Sequence, residues 1–370
     1  MYKSLFITFS AVNEHSRHEL FNNIYNGLKK DNIDFRILSF SENEKYLPRP
    51  KTNFSFLIDS IGRKNGRTSA TLSFIRYIKE QNPDHLLIGG YGYKENWIAL
   101  FYSIYFNIPV TLWAGASKDT SESNSRIKKL LKSFYLKNVT NVIAYGIRSK
   151  KYLESLTNHK IPIRSGVNVS NTELFKNTLK NYNNSNEMHA ITKKQPFATF
   201  IFVGRLEISK GVDIFINRLS ELPYNKYFCN FVGDGNLRDL VEKSINEKKI
   251  NAKYWGKLSH SEVAKRLVES NYYILPTLND PFSRSLSEAI SSGCFALNSK
   301  YDDASFDLIK NGENGFIFDP LNESEFRNYL NLFIESDWQK PSKETISKTL
   351  KYDTFHYSKQ IIDSISEALK

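Results

Sequence analysis

The stretch Phe200-Ile201-Phe202-Val203-Gly204-Arg205-Leu206-Glu207-Ile208-Ser209-Lys210-Gly211 decides how the rest of the sequence is read. Four consecutive apolar residues closed by a glycine predict a strand buried on both faces. A helical pattern opens at Gly211, so the loop sets a guanidinium and an ammonium five positions apart at the carboxyl edge of a sheet. Two fixed cations there suit a diphosphate, because arginine grips phosphate oxygens bidentately and lysine acts as a point charge. A surface loop that carries two cations by chance would hold the same residues.

Reading outward, the same strand–helix alternation recurs on both sides. Ahead of the stretch, strands are predicted at Ser4–Phe9, Phe35–Phe40, His85–Ile88, Val110–Trp113, Asn141–Ala144 and Ile161–Ile163. Helices are predicted at His15–Lys30, Ser69–Gln81, Trp97–Phe106 and Ser125–Lys137. Behind it come strands at Phe228–Val232, Ala252–Trp255, Tyr272–Leu275, Phe295–Asn298 and Gly315–Phe318. The helices Gly211–Leu219, Leu237–Lys248, Ser259–Ser270, Ser283–Ser292, Ala304–Asn311 and Glu323–Glu335 accompany them. Apolar strands separated by helices predict α/β domains built on parallel sheets.

The alternation fails over Asn171–Lys194, which is rich in Asn, Lys, Thr and Ser. The expected division is a Rossmann-like domain at 1–167, an irregular linker at 168–195 and a second Rossmann-like domain at 196–355. A C-terminal helix at 356–370 could pack back on the first domain. Ligands of such sheets collect beyond the carboxyl ends of the strands, so a substrate cleft between facing domains is expected.

Composition narrows the class. The 370 residues exceed one ordinary domain, and 40% hydrophobic residues supply two cores. Fifty-one basic against 39 acidic side chains leave a net charge of +12, which favours an anionic partner. Cys229 and Cys294 sit among apolar residues and read as buried thiols, not as a disulfide. No leader-like or membrane-spanning run is evident: Trp97–Val110 is broken by Asn107 and Pro109. A soluble cytoplasmic protein is expected.

A second motif follows the strand Tyr272–Leu275: Asp280-Pro281-Phe282-Ser283-Arg284-Ser285-Leu286-Ser287-Glu288, then Gly293. Phe282-Ser283-Arg284 opens a helix whose N–H groups and dipole favour an anion. Asp280 and Glu288 could reach one ligand from different depths and hold sugar hydroxyls. This run resembles the Glu-x7-Glu segment of retaining glycosyltransferases of family four, the glycosyl transferases group 1, whose fold is GT-B. Val232-Gly233-Asp234-Gly235 resembles the family's GxG turn, and Trp255-Gly256-Lys257-Leu258 its base-side loop. Ile317-Phe318-Asp319-Pro320 and Ser165-Gly166-Val167-Asn168 resemble further family turns.

The resemblance implies a hexosyl transfer from a UDP- or GDP-sugar to a glycan or lipid-linked acceptor, with retention and without cofactor or metal. It assigns Arg205 and Lys210 to the diphosphate, Asp280 to the transferred sugar and Glu288 to the nucleotide ribose. Gly204, Gly233, Lys257, Leu258, Phe282, Ser283 and Arg284 complete the donor side. Four departures stand out. Asp280 replaces the usual glutamate, Ser283 replaces a glycine, and Ala114-Gly115-Ala116-Ser117 lacks the histidine of many relatives. The loop Ser10–His15 also lacks the family's glycine pair.

For the acceptor side the candidates are Asn13, Glu14, His15, Tyr91 and Ser117, with the Gly89-Gly90-Tyr91-Gly92-Tyr93 run offering aromatic faces. A plain glycine turn would explain that run equally. His15 and His18 are too few for a metal site. In Ser125–Lys137, Ile127, Leu130, Leu131, Phe134 and Tyr135 form an apolar stripe flanked by Arg126, Lys128, Lys129 and Lys132. A core-facing helix with a solvated basic side is the commoner origin of such a pattern. The alternative, peripheral contact with an anionic membrane at the inner face of the cytoplasmic membrane, gains from the basic run Arg63-Lys64-Asn65-Gly66-Arg67.

Other classes fit less well. A dinucleotide-dependent oxidoreductase would want G-x-G-x-x-G after the first strand, where no glycine occurs until Gly27. No nucleic-acid-binding motif accompanies the positive charge. A nucleotide-sugar epimerase of the same architecture and a non-catalytic scaffold stay open. The expected setting is bacterial cell-surface polysaccharide synthesis, such as lipopolysaccharide or capsule.

Overall fold

The computed structural model describes residues 1–8, 15–40, 58–60, 67–115, 117, 126–157, 161–184, 198–335 and 341–370, with backbone alone at 15–18, 58–60 and 67–70. The chain divides into two units, Met1–Asn168 with Thr354–Lys370, and Val169–Asp353.

The first unit is a seven-stranded parallel sheet. Its strands are β1 (Tyr2–Thr8), β2 (Ile33–Ser39), β3 (Ile58–Ser60), β4 (His85–Gly89), β5 (Val110–Ala114), β6 (Asn141–Ala144) and β7 (Ile163–Ser165), in the order β3-β2-β1-β4-β5-β6-β7. Helices α1 (His15–Lys30), α2 (Arg67–Gln81), α3 (Lys94–Phe106), α4 (Arg126–Lys137) and α5 (Ile147–Thr157) connect them. One face packs Leu100, Tyr135, Leu136 and Leu153 against Leu86, Ile88 and Leu112. The other packs α1 through Phe21, Ile24 and Leu28 onto Phe6, Phe35 and Trp113.

The second unit is a six-stranded parallel sheet of β8 (Ala198–Val203), β9 (Tyr227–Val232), β10 (Ala252–Tyr254), β11 (Tyr272–Leu275), β12 (Phe295–Ser299) and β13 (Gly315–Phe318). Their order is β10-β9-β8-β11-β12-β13. Its helices are α6 (Thr172–Asn184), α7 (Val212–Ser220), α8 (Arg238–Asn246), α9 (His260–Glu269), α10 (Arg284–Ser291), α11 (Ser305–Leu308), α12 (Glu323–Ile334) and α13 (Lys343–Lys348). The last helix, α14 (Thr354–Ala368), returns to the first unit, where Tyr357, Ile361 and Ile365 are buried with α1.

Several sequence expectations need correction. The segment expected to be irregular, 168–195, holds the helix α6, which buries Phe175 and Leu179 and belongs to the second unit. Its two buried apolar positions, one turn apart, are too few to stand out among Asn and Lys. The strand expected at Ile161–Ile163 lies at Ile163–Ser165, and the helix Ala304–Asn311 shrinks to Ser305–Leu308. Among the described residues, no helix is long and apolar enough to cross a membrane.

Candidate active site

Strand order fixes where a ligand would sit in the second unit. Connections run outward in opposite directions from the β8/β11 pair. The loops leaving β8 and β11 therefore diverge and open a crevice at the carboxyl edge.

Close backbone packing holds those loops in register. Gly233, at φ 131°, brings β9's loop so near β8's that an added Cβ would stand 1.8 Å from the Gly204 carbonyl oxygen. Gly211, at φ 67°, would meet the Pro276 oxygen at 2.0 Å. Only glycine tolerates both conditions together. Backbone and side-chain bonds add to this: Leu206 N–H donates to Asp234 O (3.0 Å), and Leu278 N–H (2.9 Å) and Thr277 Oγ1 (2.9 Å) donate to Ser209 O.

On this frame Lys210 Nζ donates to Asp280 Oδ2, joining β8's loop to β11's; both side chains are nearly buried. Arg205 stands on the same loop, two-thirds exposed, with Nη1 2.9 Å from the Glu207 carboxylate. Ser209 Oγ also donates to Glu207. Lys210 and Asp280 thus come together, and Arg205 lies on the same edge.

The helix start is a different matter. The N–H groups of Phe282 and Ser283 were expected to meet an anion, yet each already donates to a carboxylate. Phe282 N lies 3.0 Å from Asp280 Oδ1 and Ser283 N lies 3.1 Å from Asp302 Oδ1. The Phe282 and Ser283 side chains are buried, and Ser283 Oγ, which would ordinarily cap α10, donates to Asp302 instead. These two residues anchor the helix, and their N–H groups face carboxylates. Two acids occupy the positive end of the helix dipole.

Asp302 was not singled out in the sequence. It is fully buried and takes four hydrogen bonds, from Ser283 N, Ser283 Oγ, Asn298 Nδ2 (2.7 Å) and Ala304 N (3.0 Å). Burial first, and then the Asp280 charge, push its pKa up, while the donors from Ser283 and Asn298 pull against them. Nothing in an Asp-Asp pair within a loop marks it in sequence, because its partner Ser283 lies 19 residues away.

Glu288 is 6% exposed on α10, its Oε1 3.9 Å from His260 Nε2. His260 begins α9, which Ser259 and Glu262 close in a reciprocal capping box. Sequence reading also missed His260, although it follows the Lys257-Leu258 loop directly. Lys257 is exposed, while Leu258, Arg284, Gly204 and Gly233 are half-buried at the same edge.

On the acceptor side, Asn13 and Glu14 lie outside the described residues, as does the His15 side chain. Tyr91 is partly buried against the core of the first unit. Its hydroxyl is buried without a hydrogen bond, its ring centroid is 6.1 Å from that of Tyr135, and Lys132 Nζ stands 5.5 Å from the ring. Burial raises its pKa. Ser117 is buried.

Residues 183–351 match the family described as "Glycosyl transferases group 1". The second unit belongs to that family. A sucrose synthase from Melioribacter roseus is 31% identical over 138 residues, 34% of this chain and 17% of its own length. A 2-deoxystreptamine N-acetyl-D-glucosaminyltransferase from Niallia circulans is 27% identical over 126 residues, 33% of this chain and 32% of its own. The chain thus matches under a third of each of these relatives. Over 99% of its length it resembles the Anabaena protein HepE, solved with UDP and glucose. That match covers all of HepE, with a TM-score of 0.72 and 16% identity. The chain as a whole has the GT-B fold, an α/β architecture of two Rossmann-like units.

Proposed function

We propose that the chain is a glycosyltransferase that moves a hexose-type sugar from a UDP- or GDP-sugar to a glycan or lipid-linked acceptor. Retention of the anomeric configuration, in the cytoplasmic steps of bacterial cell-surface polysaccharide synthesis, completes the reading. The observation that carries it is the Lys210–Asp280 pair, held across the β8/β11 crevice of a glycosyl transferases group 1 unit. The names of the two matched relatives and the UDP and glucose bound to HepE support a nucleotide-sugar donor.

The chemistry follows from charge. A pyrophosphate entering the crevice takes over hydrogen bonds of Lys210, and Asp280 becomes available to accept from sugar hydroxyls. Arg205, largely in solvent, adds a bidentate contact. Glu288 accepts from the ribose hydroxyls. As the sugar–phosphate bond breaks, charge grows on the departing diphosphate, and preorganised cations stabilise it. In this reading they do so without a metal ion.

Screening nucleotides and nucleotide sugars for thermal stabilisation tests the proposal. A ligand at a hundred times its Kd adds about 2.7 kcal/mol to apparent stability. The expected result is stabilisation by one nucleoside diphosphate and its sugar derivative, lost in Lys210→Ala. If none of the nucleotides or their sugars stabilises the protein, the reading fails. The product's anomeric configuration, read by NMR, tests retention separately.

A further inference from the structure

Helix α4 turns all of its apolar stripe but Tyr135 outward. Ile127, Leu130, Leu131 and Phe134 are exposed by 70%, 71%, 49% and 45%, while Tyr135 and Leu136 alone in the helix are buried. Of the two origins such a stripe can have, packing on the core holds only for Tyr135 and Leu136, which join the core cluster beside α3. The neighbouring α3 exposes Phe101, Ile104, Tyr105 and Phe106. Rings join the two helices, with Phe134 6.5 Å from Phe101 and stacked 6.5 Å from Trp97.

Charge is one-sided on the same face. Helix α4 carries Arg126, Lys128, Lys129, Lys132 and Lys137 and no acid, and the one acid of α3, Glu95, is buried. Eight large apolar side chains on two touching helices exceed the single, scattered exposure usual on a soluble surface.

We propose that this α3–α4 face docks on an anionic lipid surface. The apolar side chains enter the interfacial layer, and Arg126, Lys128, Lys129 and Lys137 meet lipid phosphates, while Lys132 stays bonded to the Tyr152 hydroxyl. Long lysine stems suit both tasks, since they lie along apolar surface while their ammonium groups reach out. Tyr105 and Phe106, at the end of α3, are side chains that settle at a headgroup boundary. A second copy is a poorer occupant. A two-fold interface through this face would set the cations of one α4 against those of the other. The docking does not depend on the sugar-transfer reading.

Cosedimentation of the full chain with vesicles tests it, using phosphatidylcholine alone or with phosphatidylglycerol. Binding is expected to the mixed vesicles, to be weak on phosphatidylcholine, and to fall with added salt as screening grows. The double variant Leu130→Glu/Leu131→Glu should weaken binding by about tenfold or more. Its thermal midpoint should stay unchanged, because both side chains already face water. Lys128→Gln/Lys129→Gln should reduce the preference for phosphatidylglycerol. Equal sedimentation with both vesicle types, or wild-type binding by the glutamate variant, overturns the proposal. So does a wild-type dimer in ultracentrifugation that the glutamate variant makes monomeric, with no vesicle binding. No nucleotide is present, so either reading can fail without the other.

Discussion

Replacing Lys210 by alanine removes the ammonium bonded to Asp280 and leaves that carboxylate close to the buried Asp302 without the counter-charge. In the proposed reaction Lys210 also stabilises charge that exists fully only as the sugar departs. The transfer rate should fall by about 10²–10³, equivalent to ~3–4 kcal/mol, measured as kcat with the donor found by screening. A rate within threefold of wild type would remove Lys210 from the mechanism. Asp302 acts one step back, by holding Ser283 and the start of α10. In Asp302→Asn an amide replaces an oxygen that now accepts, so two donors confront each other at a buried site. A loss of about 1–3 kcal/mol in second-unit stability is expected, seen as a lower denaturation midpoint. In the first unit, His85 bonds Ser4 Oγ and Thr111 Oγ1 at 2.9 Å each, and burial lowers its pKa from 6.5 to about 3. Between those values the unfolded chain binds a proton that the native one refuses. Stability therefore falls as pH drops through this window, by up to ~1.4 kcal/mol per pH unit from this group. His85→Gln should flatten that part of the stability–pH curve; an unchanged slope would assign the acid sensitivity to other groups.

At the level of elements, the loops after β8 and β9 separate a packing role from a binding role. A methyl at Gly233 would strike the Gly204 oxygen at a φ that side chains avoid, so Gly233→Ala should lower second-unit stability by about 3 kcal/mol or more. Gly204→Ala meets only the Phe202 ring, at an ordinary 3.5 Å. That variant should keep its thermal midpoint and still lose donor affinity in calorimetry; wild-type affinity would move the donor away from this backbone. Such loops were legible from Phe200–Gly211 and Tyr272–Gly293 because fully buried strands have continuous apolar runs, closed here by Gly204 in one case and Pro276 in the other. Helix α6 was not, since burial of Phe175 and Leu179 leaves its remaining faces polar. Amphipathicity placed α4 correctly as a helix but could not say whether its apolar stripe faces protein or another medium. Asp302 stayed hidden because the donors that define it come from three separate elements. The expectation for Phe282 and Ser283 misjudged which acids would reach the helix start.

On the scale of the whole chain, the two units are not two contiguous sequence blocks, because α14 follows the second unit and completes the first. Its seat on α1 and the sheet is specific. Gly27 leaves room for Ile362, whose Cδ1 would lie 2.3 Å from an added Cβ, and Gly166 makes the same allowance for the Tyr357 ring. Trp113 Nε1 donates to the Tyr357 hydroxyl, Asn141 Nδ2 to Ser364 O at 2.8 Å, and Ser366 Oγ to Asp31 Oδ2 at 2.7 Å. Deleting the last helix would therefore uncover Phe6, Trp113 and Ile143, which lie far from it in sequence. Tyr357→Phe isolates the polar part of this contact: the ring stays, and the buried Trp113 N–H loses its acceptor. A loss of about 1–3 kcal/mol is expected for that change, against about 3–5 kcal/mol for Tyr357→Ala, which also opens a cavity. Both losses should appear in the unfolding of the first unit, followed by hydrogen exchange at β1 and β5. Exchange at β8 and β11 should be unchanged in the phenylalanine variant. Equal loss of protection in both sheets would mean that the two units unfold as one, and that α14 supports the chain as a whole.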